Sequence, residues 1–176
     1  MLEQSKEASV LTMEQSEDVT INQQERLTSL VWLAGFLEGE GCVGFGLSNK
    51  RKTQRGNPRI TPRIGLINTD YELIERANTT LQSLEIGSYI AERKNGCDGN
   101  PKHKSAKVLE VNGIKRVKKA LEVLIPYMTQ AGRKTQAAKL VLEFCKRRLT
   151  FGKNYSSGPE DYSYVERVKD LNRKGQ

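Results

Sequence analysis

The chain has 176 residues, 36% of them hydrophobic, which suits one core of ordinary size and a single domain with short extensions. Its 29 Lys and Arg exceed its 21 Asp and Glu to give a net +8, and residues 1–25 hold six acids and one base, so residues 26–176 carry +13. A body that basic attracts polyanions, whereas the longest apolar run, Leu30 to Leu37, is far below the roughly 20 residues needed to span a bilayer.

Residues 1–25 are rich in Glu, Gln and Ser, without a sustained period, and read as an acidic, mobile arm or a poorly anchored helix. They also lack the basic-then-apolar pattern of a secretory signal. The expected location is therefore intracellular, in prokaryotic cytoplasm or nucleoid or an organelle matrix, with no membrane partner. A core runs from residue 26 to 150, and residues 151–176 add a linker and helix to the same domain.

From Thr28 the pattern is that of a buried helix: Leu30, Val31, Leu33, Ala34, Phe36 and Leu37 leave almost no polar face, which predicts cover on all sides. Gly39 and Gly41 stop it. Residues 42–50 alternate as a strand, 50–58 form a basic turn, and 59–67 alternate again, with Pro62 marking a weak or edge position. Asp70 is a credible N-cap for a helix to about Leu84. A short strand at 88–94, a polar loop at 95–105 and a strand at 106–112 repeat the hairpin in outline. Ile114, Val117, Leu121 and Leu124 mark a helix ending at Pro126, and a longer one starts near Lys134. A turn-rich linker, 151–159, leads to a last helix over 160–172. Hairpins separated by helices predict an α+β fold, with helices on one face of an antiparallel sheet.

The cysteines Cys42, Cys97 and Cys145 are odd in number and lack CxxC spacing, so neither a disulfide framework nor structural zinc is expected; Cys97 with the only histidine, His103, would supply two of about four ligands. The informative segment is LAGFLEGEG at 33–41, where two carboxylates two residues apart follow a buried helix among glycines. Gly35 and Gly39 sit at i and i+4 on one face, which admits a second helix to backbone contact. No second copy occurs in the chain, so that helix would come from another subunit. A two-fold pairing brings two Glu40 carboxylates together, tolerable when divalent cations lie between them. The alternative is that Glu38 and Glu40 are solvated acids after a core helix.

LAGFLEGEG resembles the signature of the LAGLIDADG homing endonucleases, in which this helix is followed by an acid, a small residue, an acid and glycine. The element order from Leu30 to Leu149 matches their αββαββα core, and a single motif is the pattern of the homodimeric branch. The resemblance implies a dimer interface at Leu33, Ala34, Gly35, Phe36 and Gly39 and metal binding by the Glu40 carboxylate and Gly39 carbonyl. It also implies a water-ordering side chain at Asn68 and a catalytic basic residue at Lys134 or Arg133. Both motif acids are usually Asp and here are Glu. The turn sequence Asn-Thr-Asp offers Asn68 a purely local role instead. Implied cofactor and activity are Mg²⁺, with Mn²⁺ as a substitute, and site-specific hydrolysis of both strands of a long pseudo-palindromic DNA site, typically by an intron-encoded enzyme that promotes intron homing. An RNA-binding intron maturase, or an inactive DNA-binding regulator of the same fold, is the alternative.

The family lays a saddle-shaped sheet along the major groove. Here Arg59, Thr61 and Arg63 share one strand face, Ser48 ends the preceding strand, and Lys50, Arg51, Lys52 and Arg55 occupy the hairpin tip. Arg93, Lys94, Lys102, Lys104 and Lys107 serve the second hairpin in the same way, so eleven basic residues concentrate on two hairpins. Lys115, Arg116, Lys118 and Lys119 ride the outer face of a helix and read as solvent-facing or phosphate-contacting.

Overall fold

The apolar stretch at residues 30–37 lies in one long helix, α1 (Glu3–Glu40), which also takes in the acidic N-terminal segment. The computed structural model describes residues 3–48, 58–93, 104–151 and 156–173, with side chains in α1 described from Asn22 onward. At 100° per residue, Leu30, Leu33, Ala34 and Leu37 fall on one side of α1 and are buried in the chain's own core. The opposite stripe is bare: Val31 is 50% exposed, and a Cβ placed on Gly35 or Gly39 would meet nothing within 4 Å. Cover on all sides is thus not achieved within one chain. Leu33 and Ala34 belong to the subunit core and cannot form a surface for a partner. The stripe that remains open carries Val31, Trp32, Gly35, Phe36 and Gly39. The Trp32 and Phe36 rings stack with centroids 5.2 Å apart, and the Arg76 guanidinium lies 4.1 Å from the Trp32 ring.

Gly41 joins α1 to the sheet with no room for a side chain: a Cβ there would lie 2.7 Å from the Leu37 carbonyl oxygen and 2.9 Å from Leu66 Cδ2. Strands β1 (Gly41–Ser48) and β2 (Arg59–Asn68) form an antiparallel hairpin, and β3 (Tyr89–Arg93) and β4 (Ala106–Asn112) form a second. The hairpins join through β2 and β4 to give the sheet order β1-β2-β4-β3. Alternation sends Val43, Ile60, Ile64, Leu66, Leu109 and Val111 into the core, and turns Cys42, Arg59, Thr61, Arg63, Glu110 and Tyr89 to the other face. Pro62 sits in β2 just past the last β2–β4 pair, Arg63 with Asn112, so its missing N–H breaks no ladder bond to β4. Its carbonyl accepts from Gly113 N at 3.1 Å.

Helix α2 (Tyr71–Ser83) starts as its sequence suggests, with Asp70 Oδ1 accepting from Glu72 N. Helix α3 (Ile114–Leu124) ends in a 3₁₀ turn at Ile125–Tyr127, where Pro126 prevents continuation. Helix α4 (Arg133–Thr150) follows, then α5 (Pro159–Asn172). Phe144 of α4 meets Phe45 of β1 and Tyr164 of α5 edge-on, at 4.8 and 5.9 Å between centroids, and so ties sheet and both helices into one core. Asn172 Nδ2 donates to Val43 O at 2.8 Å, closing part of the otherwise unpaired edge of β1.

A buried ion pair fixes α5 against α4. Asp161 is fully buried, accepts from Arg147 Nη1 at 2.7 Å, and accepts from Gly158 N at 3.1 Å at the start of α5; Arg147 also pairs with Glu160. Asp161→Ala strips one partner from a mostly buried guanidinium and uncaps α5, for an expected loss of about 3 kcal/mol in urea unfolding. A loss below about 1 kcal/mol would place the pair among ordinary surface bridges.

Candidate active site at the end of the first helix

Two carboxylates two residues apart on a helix point in different directions, and here they have different surroundings. Glu38 is tied to the segment before α4: its Oε1 accepts from Thr129 N at 3.0 Å, and its Oε2 accepts from Thr129 Oγ1 at 3.2 Å. The buried Thr135 hydroxyl donates to Thr129 O at 2.8 Å and lies 3.3 Å from Glu38 Oε1. Lys134 Nζ donates to the backbone carbonyl of Glu38. Glu38 therefore anchors the helix end, as a structural acid should.

Glu40 lies past that anchor and is exposed, and among the described residues its carboxylate forms no hydrogen bond or ion pair. It sits where α1 presents its last carbonyls, a pole of partial negative charge that disfavours an added acid and attracts cations. Lys134 is the local compensation. Burial pushes its pKa below the usual lysine value, while the Cys42, Glu38 and Glu40 side chains pull in the opposite direction.

The two basic candidates separate clearly. Lys134 turns to the motif, whereas Arg133 Nη2 donates to the carbonyls of Asp170 at 3.3 Å and Arg173 at 2.9 Å, at the end of α5. Arg133 thus turns to the end of α5 and away from the motif. Asn68 Oδ1 accepts from Asp70 N at 2.8 Å, a local turn that leads into α2, and its parity with Leu66 sets it on the helix-covered side of β2. Cys42 has no part in the site as read from the sequence. It is exposed, follows the motif directly and lies within electrostatic reach of Lys134.

The open face of the sheet carries Arg59, Thr61 and Arg63 side by side, and among the described residues neither arginine forms an ion pair. Arg93 is exposed on the same face of β3, and Lys104 is exposed just before β4. Ser48 Oγ accepts from Arg59 N at 3.2 Å and so helps close the first hairpin. Lys107 is a correction: it shares the parity of Leu109 and Val111, turns to α2, pairs with Glu75 at 2.6 Å and lies 4.9 Å from the Tyr71 ring centroid. Tyr89, Glu110 and Asn112 join the open face instead, with Asn112 Nδ2 donating to Glu110 Oε2 at 3.0 Å. Lys50, Arg51, Lys52, Arg55, Lys94, Lys102 and His103 lie outside the described residues.

Neither a protein-family model nor a curated relative matches the sequence. Solved structures match well. The homing endonuclease I-CvuI superposes with a TM-score of 0.65 at 20% identity, over 86% of this chain and 87% of its own. I-TnaI, also a homing endonuclease, gives 0.54 at 18% identity over 82% and 88%. The chain has the LAGLIDADG homing endonuclease fold. The meganuclease I-SmaMI gives a TM-score of 0.60 at 18% identity, over 84% of this chain and 45% of the longer I-SmaMI chain. One copy of the present chain thus spans most of an I-CvuI chain but under half of I-SmaMI.

The donors at the α1 end suit a hard divalent cation: a carboxylate on Glu40 and a backbone carbonyl on Gly39. Among the described residues, no group of three His, Cys, Asp or Glu side chains could hold a metal within one chain. Glu40 and Gly39 lie next to the open glycine stripe of α1.

Proposed function

We propose that two copies of this chain pair through the open stripe of α1 and cut both strands of a specific duplex DNA site, using divalent metal held by Glu40 and Gly39 of each copy. The observation that carries this reading is the unpartnered Glu40 carboxylate beside the bare Gly35–Gly39 face, with Lys134 fastened to the same helix end. The fold supports it, since I-CvuI with this architecture has been crystallised in complex with DNA targets in the presence of Mg and of Ca. Mg²⁺ is the preferred ion in this reading and Mn²⁺ its substitute.

When bound, the metal lowers the pKa of water near the scissile phosphate and stabilises charge on the departing oxygen. The chain's own groups do the rest. Glu38, through Thr129 and Thr135, fixes the direction in which Glu40 leaves the helix. Arg59, Thr61 and Arg63 place the duplex against the open sheet face by gripping phosphates and guanine edges. Lys134 Nζ, whose lowered pKa eases proton release, is positioned to donate to a departing or developing oxyanion.

Lys134→Met is expected to slow single-turnover cleavage by about a hundredfold with little change in DNA affinity. A defect confined to binding would make Lys134 a phosphate contact. The reading as a whole is tested by incubating the purified protein and Mg²⁺ with a randomised DNA library and sequencing the cut ends. A recurrent pseudo-palindrome cut on both strands is expected; no cutting, or cutting without sequence preference, would sink it. Intron homing, an intracellular location and an accessory interaction with intron RNA belong to the same proposal.

A further inference from the structure

A second basic feature lies away from the motif. Where β2 runs past the end of β4, the notch in the sheet opens into a cavity of about 670 Å³. Its lining holds the cationic residues Arg59, Lys115, Arg116 and Arg148 and no acid. Among the described residues, neither Arg59 nor Lys115 forms an ion pair, and the Arg116 guanidinium lies against Gly87. Helix α3 starts at the cavity edge behind Gly113, whose φ is 98°, and among the described residues no side chain caps its first-turn N–H groups. The other wall is apolar, with Leu149 at 42% and Phe151 at 40% exposure.

We propose that this cavity receives one unstacked nucleotide of a single-stranded polynucleotide. Cations and helix N–H groups answer its phosphate, and Leu149 and Phe151 answer its base. Arg59 and Thr61 are shared with the sheet face proposed to meet the duplex, but the Leu149 and Phe151 wall is not, because a duplex keeps base faces inside its stack and would set phosphates against those two apolar side chains. The volume is within the range of small-ligand pockets and admits a nucleotide unit. The site is independent of Glu40, so it stands whether or not the chain cuts duplex DNA.

The test measures anisotropy of a labelled oligouridylate, an oligodeoxythymidylate and a random-sequence duplex on the full chain. Phe151→Ala should weaken single-strand binding roughly tenfold and leave duplex binding within about twofold. Lys115→Ala, on an exposed side chain whose loss does not threaten folding, should lower the salt slope for single strands by about 0.7. Preference for the ribo-oligomer assigns the site to RNA, and preference for the deoxy-oligomer assigns it to single-stranded DNA. The proposal is overturned if both variants bind single strands like the parent, or if duplex and single-strand affinities fall together.

Discussion

Glu40→Gln is expected to abolish strand cleavage, by about three orders of magnitude or more, while the protein still folds, pairs and holds DNA in Ca²⁺. Glutamine keeps the shape and one acceptor oxygen but removes the negative charge that a divalent cation needs as a ligand. Because the Glu40 carboxylate has no hydrogen bond or ion pair among the described residues, its loss leaves no buried donor stranded, and stability should change by under about 0.5 kcal/mol. The same substitution at Glu38 is the informative contrast, since that side chain fastens α1 to Thr129. Full cleavage by Glu40→Gln in Mg²⁺ would dismiss Glu40 as a metal ligand and the proposed chemistry with it.

Gly35→Leu should separate folding from association. Within one chain a Cβ at Gly35 meets nothing within 4 Å, and leucine has a higher helix propensity than glycine by nearly 1 kcal/mol, so the thermal midpoint of the isolated subunit should hold or rise. Between two chains the effect is the reverse, because the added side chain would keep the helices from backbone contact. Sedimentation should show the dimer reduced to monomer at concentrations where the parent pairs, and double-strand cleavage should be lost with it. A dimer that persists unchanged would move the interface elsewhere on the molecule.

Much of the fold was legible because its signals are local. The two hairpins, the Asp70 cap, the halt at Pro126 and the αββαββα order follow from alternation, capping and proline sterics, and each holds in the structure. The orientation of α1 was not legible. A helix apolar all round does not reveal its inner side, and Leu33 and Ala34 turned out to face the core while Val31 and Gly35 face outward. Arg133 and Lys134 posed a similar problem, since neighbours about 100° apart on a helix differ only in what they meet, here the ends of α5 and α1. Lys107 could have been read correctly: it alternates in step with Leu109 and Val111, so its parity already placed it on the covered face.

Three helix ends converge at residues 132–134. The amino end of α4, rich in unclaimed N–H groups, receives the carboxyl ends of α1 and α5, with Lys134 bridging to one and Arg133 to the other. Opposed macrodipoles are neutralised at that junction, so the C-terminal helix is a structural brace of the same hub that holds the motif acid in place. Trimming α5 would therefore take from Arg133 its carbonyl partners at the junction where the motif helix ends.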